Sequence, residues 1–152
     1  LSLIIPVLNL GGVILVRRCY YLLKGSARGA VSILLAVSAL LSAALMGLWK
    51  NVALCALLMG LCCAVNYGIN PLLTTLIPMD YDKSGRVGLV AGLIDCFIYV
   101  GSALTGVAAG AVIDAVGWQG VYAMWIVVSA VGAAFGIAAI RGEKRMKNQI
   151  NV

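Results

Sequence analysis

The sequence predicts an all-α fold, a polytopic membrane helix bundle with five transmembrane helices, and three observations predict it. First, 63% of the 152 residues are hydrophobic and the mean hydropathy is +1.08. A soluble domain of this size could not hide that much apolar surface, because many residues of a small domain must face water. Second, the apolar residues fall in five runs separated by short polar stops, and roughly 20 helical residues cross a bilayer core of about 30 Å. Third, the net charge of +6 comes from basic residues grouped between and after those runs. That grouping is the pattern of membrane topology. No nucleic-acid-binding motif and no basic stripe interleaved with aromatics accompanies it, so nucleic acid is not an expected partner.

The runs follow in order along one unit, 1–152. The first, about 1–16, contains Pro6 and stops at Arg17-Arg18. The second, about 29–48, is rich in Ala, Ser and Leu, and Trp49-Lys50-Asn51 separates it from the third, about 52–77. A loop from Pro78 to Arg86 leads to the fourth, about 87–113. Asp80 and Asp82 flank Tyr81 in that loop and read as solvated turn residues, with Gly85 supplying the turn. A tight turn with two glycines, Asp114 to Gly120, leads to the fifth run, about 121–140, which ends at the basic tail RGEKRMK.

Charge gives an orientation. Arg17, Arg18, Lys24 and Arg28 follow run one, Lys83 and Arg86 follow run three, and Arg141, Lys144, Arg145 and Lys147 follow run five. Only Lys50 falls on the other side. By the positive-inside rule the C-terminus is cytoplasmic; the expected location is the plasma (inner) membrane. Five spans then put Leu1 outside. With no initiator methionine and no basic region ahead of an apolar stretch, the start does not read as a signal peptide. The expectation is that helices upstream of Leu1 are missing.

Run four carries the most informative residue. For more than twenty residues after Gly88 the one group charged near neutral pH is Asp95. An acid at membrane depth is costly and faces protein or water. Helical spacing puts Gly88, Gly92, Asp95, Tyr99, Ser102, Gly106 and Gly110 on one face, with Leu89, Leu93, Phe97, Leu104 and Val107 opposite. The small, polar seam is expected to meet other helices or a cavity, and the greasy side to meet lipid. The Gly106/Gly110 pair, and the stripe Ser129, Gly132 and Gly136 in run five, are expected to let helix backbones approach closely.

Run three has a second polar seam: Cys63, Asn66, Tyr67, Asn70 and Thr74. Pro71 removes a backbone donor and clashes with the preceding turn, which predicts a kink near Tyr67 with a freed carbonyl. Broken helices beside polar side chains are where transporters place ligand sites. Asn66 and Asn70 could equally hydrogen-bond a neighbouring helix. The candidate residues for solute or proton binding are therefore Asp95, Tyr99, Asn66, Tyr67 and Asn70.

Enzyme chemistry is not expected. The chain has no histidine, and no paired-carboxylate or nucleophile–base constellation is present. Four of the five cysteines lie inside apolar runs without a Cys-x-x-Cys pair, so they read as packing residues and neither metal nor cofactor is expected.

Several motifs in order along the chain resemble one family. They are Tyr67-Gly68, Pro78, Gly88, Ala91 to Leu93, Tyr99-x-Gly101, Gly110-x-x-x-Asp114-x-x-Gly117-Trp118 and Gly142-Glu143-Lys144-Arg145. Together they look like the last three helices of the organophosphate:phosphate antiporters of the major facilitator superfamily. The stretch from Arg17 to Gly29 resembles the superfamily's basic loop between helices eight and nine. The resemblance implies that the five runs are helices eight to twelve of twelve, a partial major-facilitator fold. Its implied partners are a small-molecule solute, the lipid bilayer and the missing N-terminal half. The family holds phosphate with basic residues on its first and seventh helices, both outside this chain. The implied function is secondary active transport of a small solute by alternating access, as an organophosphate/phosphate antiporter or a related anion carrier. A membrane-embedded solute sensor of the same family and proton-coupled uptake of a neutral or cationic solute stay open. So does a five-helix membrane protein complete in itself. Asp95 itself has three open roles: carrying a proton, binding a cationic or polyol solute, or holding an ion pair.

Overall fold

A computed structural model of the chain describes residues 4–23, 26–48 and 50–150, and the side chains of 9–23, 26–48 and 50–142. The described residues form five long helices and no strand. They are α1 (Ile4–Leu22), α2 (Ala27–Leu48), α3 (Val52–Met79), α4 (Val87–Val116) and α5 (Trp118–Ile150). Among the described residues, α2, α3, α4 and the Trp118–Gly142 part of α5 are long and apolar enough to cross a membrane. By length and composition this is an integral membrane protein of the helical class. The Ser26 hydroxyl starts α2 by accepting from the Gly29 N–H at 3.2 Å. The Asn51 side chain starts α3 by accepting from the Leu54 N–H at 3.3 Å. Each satisfies a donor that the first helical turn leaves open.

The helices run further than the apolar runs predict. The first was expected to stop at residue 16, but α1 continues through Arg17 and Arg18 to Leu22. Arginine is a good helix former, and Tyr20 and Leu23 pack against the core beyond the charged pair. Likewise α4 reaches Val116 and α5 starts at Trp118, so the expected seven-residue turn shrinks to Gly117 alone. Gly117 supplies it with φ 74°, a conformation glycine adopts without penalty. Its N–H still bonds the Ile113 carbonyl at 2.9 Å.

The expected kink near Tyr67 is also displaced. The chain stays α-helical through Pro71, and the irregularity follows it as a π-helical turn at Leu72–Leu76. The Ile77 N–H reaches back five residues to the Leu72 carbonyl. The Thr74 hydroxyl donates to the Asn70 carbonyl at 3.1 Å. Hydroxyls commonly satisfy backbone groups that a helix irregularity leaves open.

Packing is organised on α2, which lies between α3 on one side and α5 on the other. Val16 of α1, Ala30, Val31 and Leu34 of α2, and Val65, Ile69 and Leu72 of α3 form the buried core. Small residues let the backbones close. A Cβ on Gly12 would collide with the Ala64 backbone, and one on Gly68 with Val16 and the Gly12 backbone. Across the α2/α5 contact, Gly136 faces Ser32 and Gly132 faces Leu35. The Arg28 guanidinium also pairs with Asp80 at 3.3 Å, tying the start of α2 to the loop after α3.

The fourth helix does not share this packing. None of its residues is buried, and it touches chiefly α5 and the Leu72–Met79 end of α3. The close approach expected at Gly106 and Gly110 is absent: nothing among the described residues lies within 4 Å of a Cβ at either, nor at Gly88 or Gly92.

Candidate functional site

Polar side chains from three helices meet at a mostly apolar cavity of about 260 Å³ between α2, α3 and α5. Three pairs at helical i, i+4 spacing face it: Ser38 and Ser42, Cys62 and Asn66, Trp125 and Ser129. That spacing stacks two side chains on one side of a helix. Ser38 lies near the midpoint of α2, Asn66 near that of α3, and Ser129 near that of the apolar part of α5. If these helices cross a bilayer, the cavity falls near its midplane.

Hydrogen bonds hold two walls together. The Asn66 Nδ2 donates to the Ser38 Oγ at 2.9 Å and to the Cys62 carbonyl of its own helix at 2.8 Å. The Ser42 Oγ donates to the Ser38 carbonyl at 2.9 Å. Buried Cys62 places its Sγ 3.6 Å from the Ser42 Oγ and 3.8 Å from the Ser38 carbonyl. The two serines are almost wholly buried. With no water in a bilayer core, polar groups there need such partners. The Asn66 Oδ1 accepts no hydrogen bond among the described residues. An amide carbonyl beside hydroxyls can take hydroxyl or N–H donors from a guest. No lysine or arginine lines the cavity.

Of the five residues singled out in the sequence, Asn66 lines this cavity and the others do not. Tyr67 is 56% exposed on the flank of α3, and Asn70 is also exposed. On α4, Tyr99 is exposed and Asp95 is half-buried. The half-buried side of α4 is Val87, Val90, Ala91, Ile94 and Ile98. Asp95 stands at its edge, four residues after Ala91 and three before Ile98. The glycine–tyrosine seam begins next to it and is exposed. No hydrogen bond or ion pair reaches Asp95 among the described residues.

Sequence reasoning missed Ser38, Ser42, Cys62 and Trp125. A signal existed for the serines, whose spacing of four in an apolar helix puts both on one side. Cys62 was legible only as a packing residue, and all five cysteines are free thiols.

The bundle belongs to the broad class of helical membrane proteins. Comparison with protein-family models, with curated proteins and with solved structures yields no match to this chain.

Proposed function

We propose that the chain forms part of a secondary transporter and contributes one wall of a solute pathway that works by alternating access. The cavity at mid-span carries this reading, because solute sites of such carriers lie near the bilayer midplane, where helices are interrupted. Here α3 supplies both the cavity residue Asn66 and the π-helical turn two turns further on. π-Turns inside helices are frequent at functional sites. In this reading the five helices are helices eight to twelve of a major-facilitator fold, including α1 as a fifth span. The end bearing Arg17, Arg18, Arg28, Lys83, Arg86 and Arg141 faces the cytoplasm of an inner membrane. The sequence motifs from Tyr67 to Arg145 resemble the organophosphate/phosphate antiporters. Their phosphate-holding cations would come from helices outside this chain.

The neutral lining favours a second reading. Serine hydroxyls and an asparagine amide suit a neutral polar solute better than an anion, with Asp95 then carrying a coupling proton. Uptake into proteoliposomes by the full-length transporter separates the two. Saturable flux that Asn66→Leu reduces by roughly tenfold or more, the worth of one lost polar contact, is expected under both. Exchange of phosphate for an organic phosphate, insensitive to Asp95→Asn, selects the antiporter. Polyol uptake that Asp95→Asn abolishes selects proton coupling. Flux unchanged by Asn66→Leu would remove the cavity from the pathway.

A further inference from the structure

The cavity is not the only feature of the bundle that fits a ligand. Two shallow grooves flank α1, one against α3 and one against α2. The first, of about 260 Å³, is lined by Val16, Arg17, Tyr20, Leu72 and Leu76 among others. The second, of about 290 Å³, is lined by Leu15, Arg18, Leu22, Ile33 and Val37 among others. Apart from its arginine, the second groove has no charged or hydroxyl-bearing lining residue. Each extends roughly 10 Å along the helices, at 1.5 Å per residue. Both open at the bundle end that also carries Arg28, Lys83 and Arg86.

Neighbouring arginines on a helix point to different flanks, so each groove has its own cation. Both side chains are exposed. The Arg17 guanidinium lies 5.8 Å from the centre of the Tyr21 ring. No carboxylate pairs with either among the described residues, the one ion pair being Arg28 with Asp80. Both sit about a turn inside the end of α1, where long basic side chains reach outward to headgroup level. An apolar groove beside a guanidinium that meets no carboxylate among the described residues matches one molecule that a membrane always supplies. That molecule has a phosphodiester at the surface and an acyl chain below it.

We propose that the Arg17/Arg18 end of α1 is a binding site for an anionic phospholipid, with its phosphate on the arginines and an acyl chain lying in a flanking groove. Guanidinium suits this role because its fork of N–H donors matches phosphate oxygens. Basic pockets between helices on the cytoplasmic side are where anionic headgroups collect. The site does not depend on transport and stands or falls separately from it.

Native mass spectrometry of the detergent-solubilised chain, offered equal phosphatidylglycerol and phosphatidylcholine, tests the site. Wild type is expected to retain phosphatidylglycerol over phosphatidylcholine by roughly thirtyfold, as two basic residues worth about 1 kcal/mol each at a charged surface would give. Arg17→Gln with Arg18→Gln should erase the preference, and Arg17→Lys with Arg18→Lys should keep part of it. These positions are exposed, so the changes leave the core intact. Val37→Trp, which fills one groove without altering charge, should lower retention of phosphatidylglycerol. Equal retention of the two lipids by wild type would overturn the proposal, as would a preference that survives the double glutamine change. Displacement of the lipid by an equal concentration of glycerol phosphate, which has no acyl chain, would overturn the groove's part in it.

Discussion

The α2 and α4 helices are nearly equal in mean hydropathy, 2.3 and 2.0, yet a third of the apolar window of α2 is buried and none of α4's is. The difference lies in what their small residues meet. On α2, buried Ala30, Ser32, Ser38 and Ser42 bring α3 and α5 close. Glycines 12 and 68 bring the α1 and α3 backbones together in the same way. On α4, five glycines meet nothing within 4 Å among the described residues. Hydropathy therefore says that a helix belongs in a membrane, and the partner of its small residues says whether it faces protein. In lipid, helices associate through close packing and hydrogen bonds, since the lipid tails are as apolar as the side chains.

The sharpest way to break this contrast is to make one chemical change in both regions. Gly12→Ala puts a methyl group into the Ala64 backbone, which cannot turn aside as a side chain could. We expect a loss of about 3 kcal/mol, the upper range for overpacking, read as a lower unfolding midpoint in detergent. A cost below about 0.5 kcal/mol, the range of an unconstrained surface change, would mean that α1 and α3 are not in backbone contact.

The cavity gives a smaller effect. The Asn66–Ser38 bond joins α3 to α2 across 2.9 Å. Interhelical hydrogen bonds in membranes are worth about 0.6 kcal/mol on average and up to about 1.7. A double-mutant cycle with Asn66→Leu and Ser38→Ala should return a coupling near 1 kcal/mol, because Ser38 is buried and has no water to replace its partner. Zero coupling would leave Asn66 free for solute alone and remove its part in joining the helices.

How much of this the sequence revealed follows from what each signal measures. Apolar length located all five helices, but not their ends. Helix propensity and packing past Arg17-Arg18, and one left-handed glycine at 117, set the boundaries instead. Pro71 announced an irregularity but not its direction, because the next turn absorbed it in π geometry. Asn66 was legible because an amide in an apolar run needs a partner. Ser38 and Ser42 were not, because a serine in a helix can bond its own backbone. Ser42 does so to the Ser38 carbonyl, and Ser32 to that of Arg28. The polarity of such a side chain does not reveal whether its helix faces a cavity. Asp95 stood out by its charge, but no hydrogen bond or ion pair meets it among the described residues.

The effect that is smallest in this chain alone bears on α4, and its sign matters more than its size. Gly92→Ala and Gly106→Ala place a methyl group in open space. With nothing to strike, the change acts through the unfolded chain, where glycine has more freedom to lose, and should raise the stability of this chain by about 0.4–1 kcal/mol. Beside the N-terminal half of the proposed transporter, the same two changes should cost about 1–3 kcal/mol if a partner helix lies against the seam. The measurement is the unfolding midpoint of each variant, taken once with this chain alone and once in the assembled protein. A reversal of sign would identify the glycine seam as a helix contact and place Asp95 at the boundary between the two halves. Stabilisation in both settings would mean that lipid covers the seam. A cost already present in the chain alone would show that α4 is packed as tightly as α1, and the contrast between the two regions would fail.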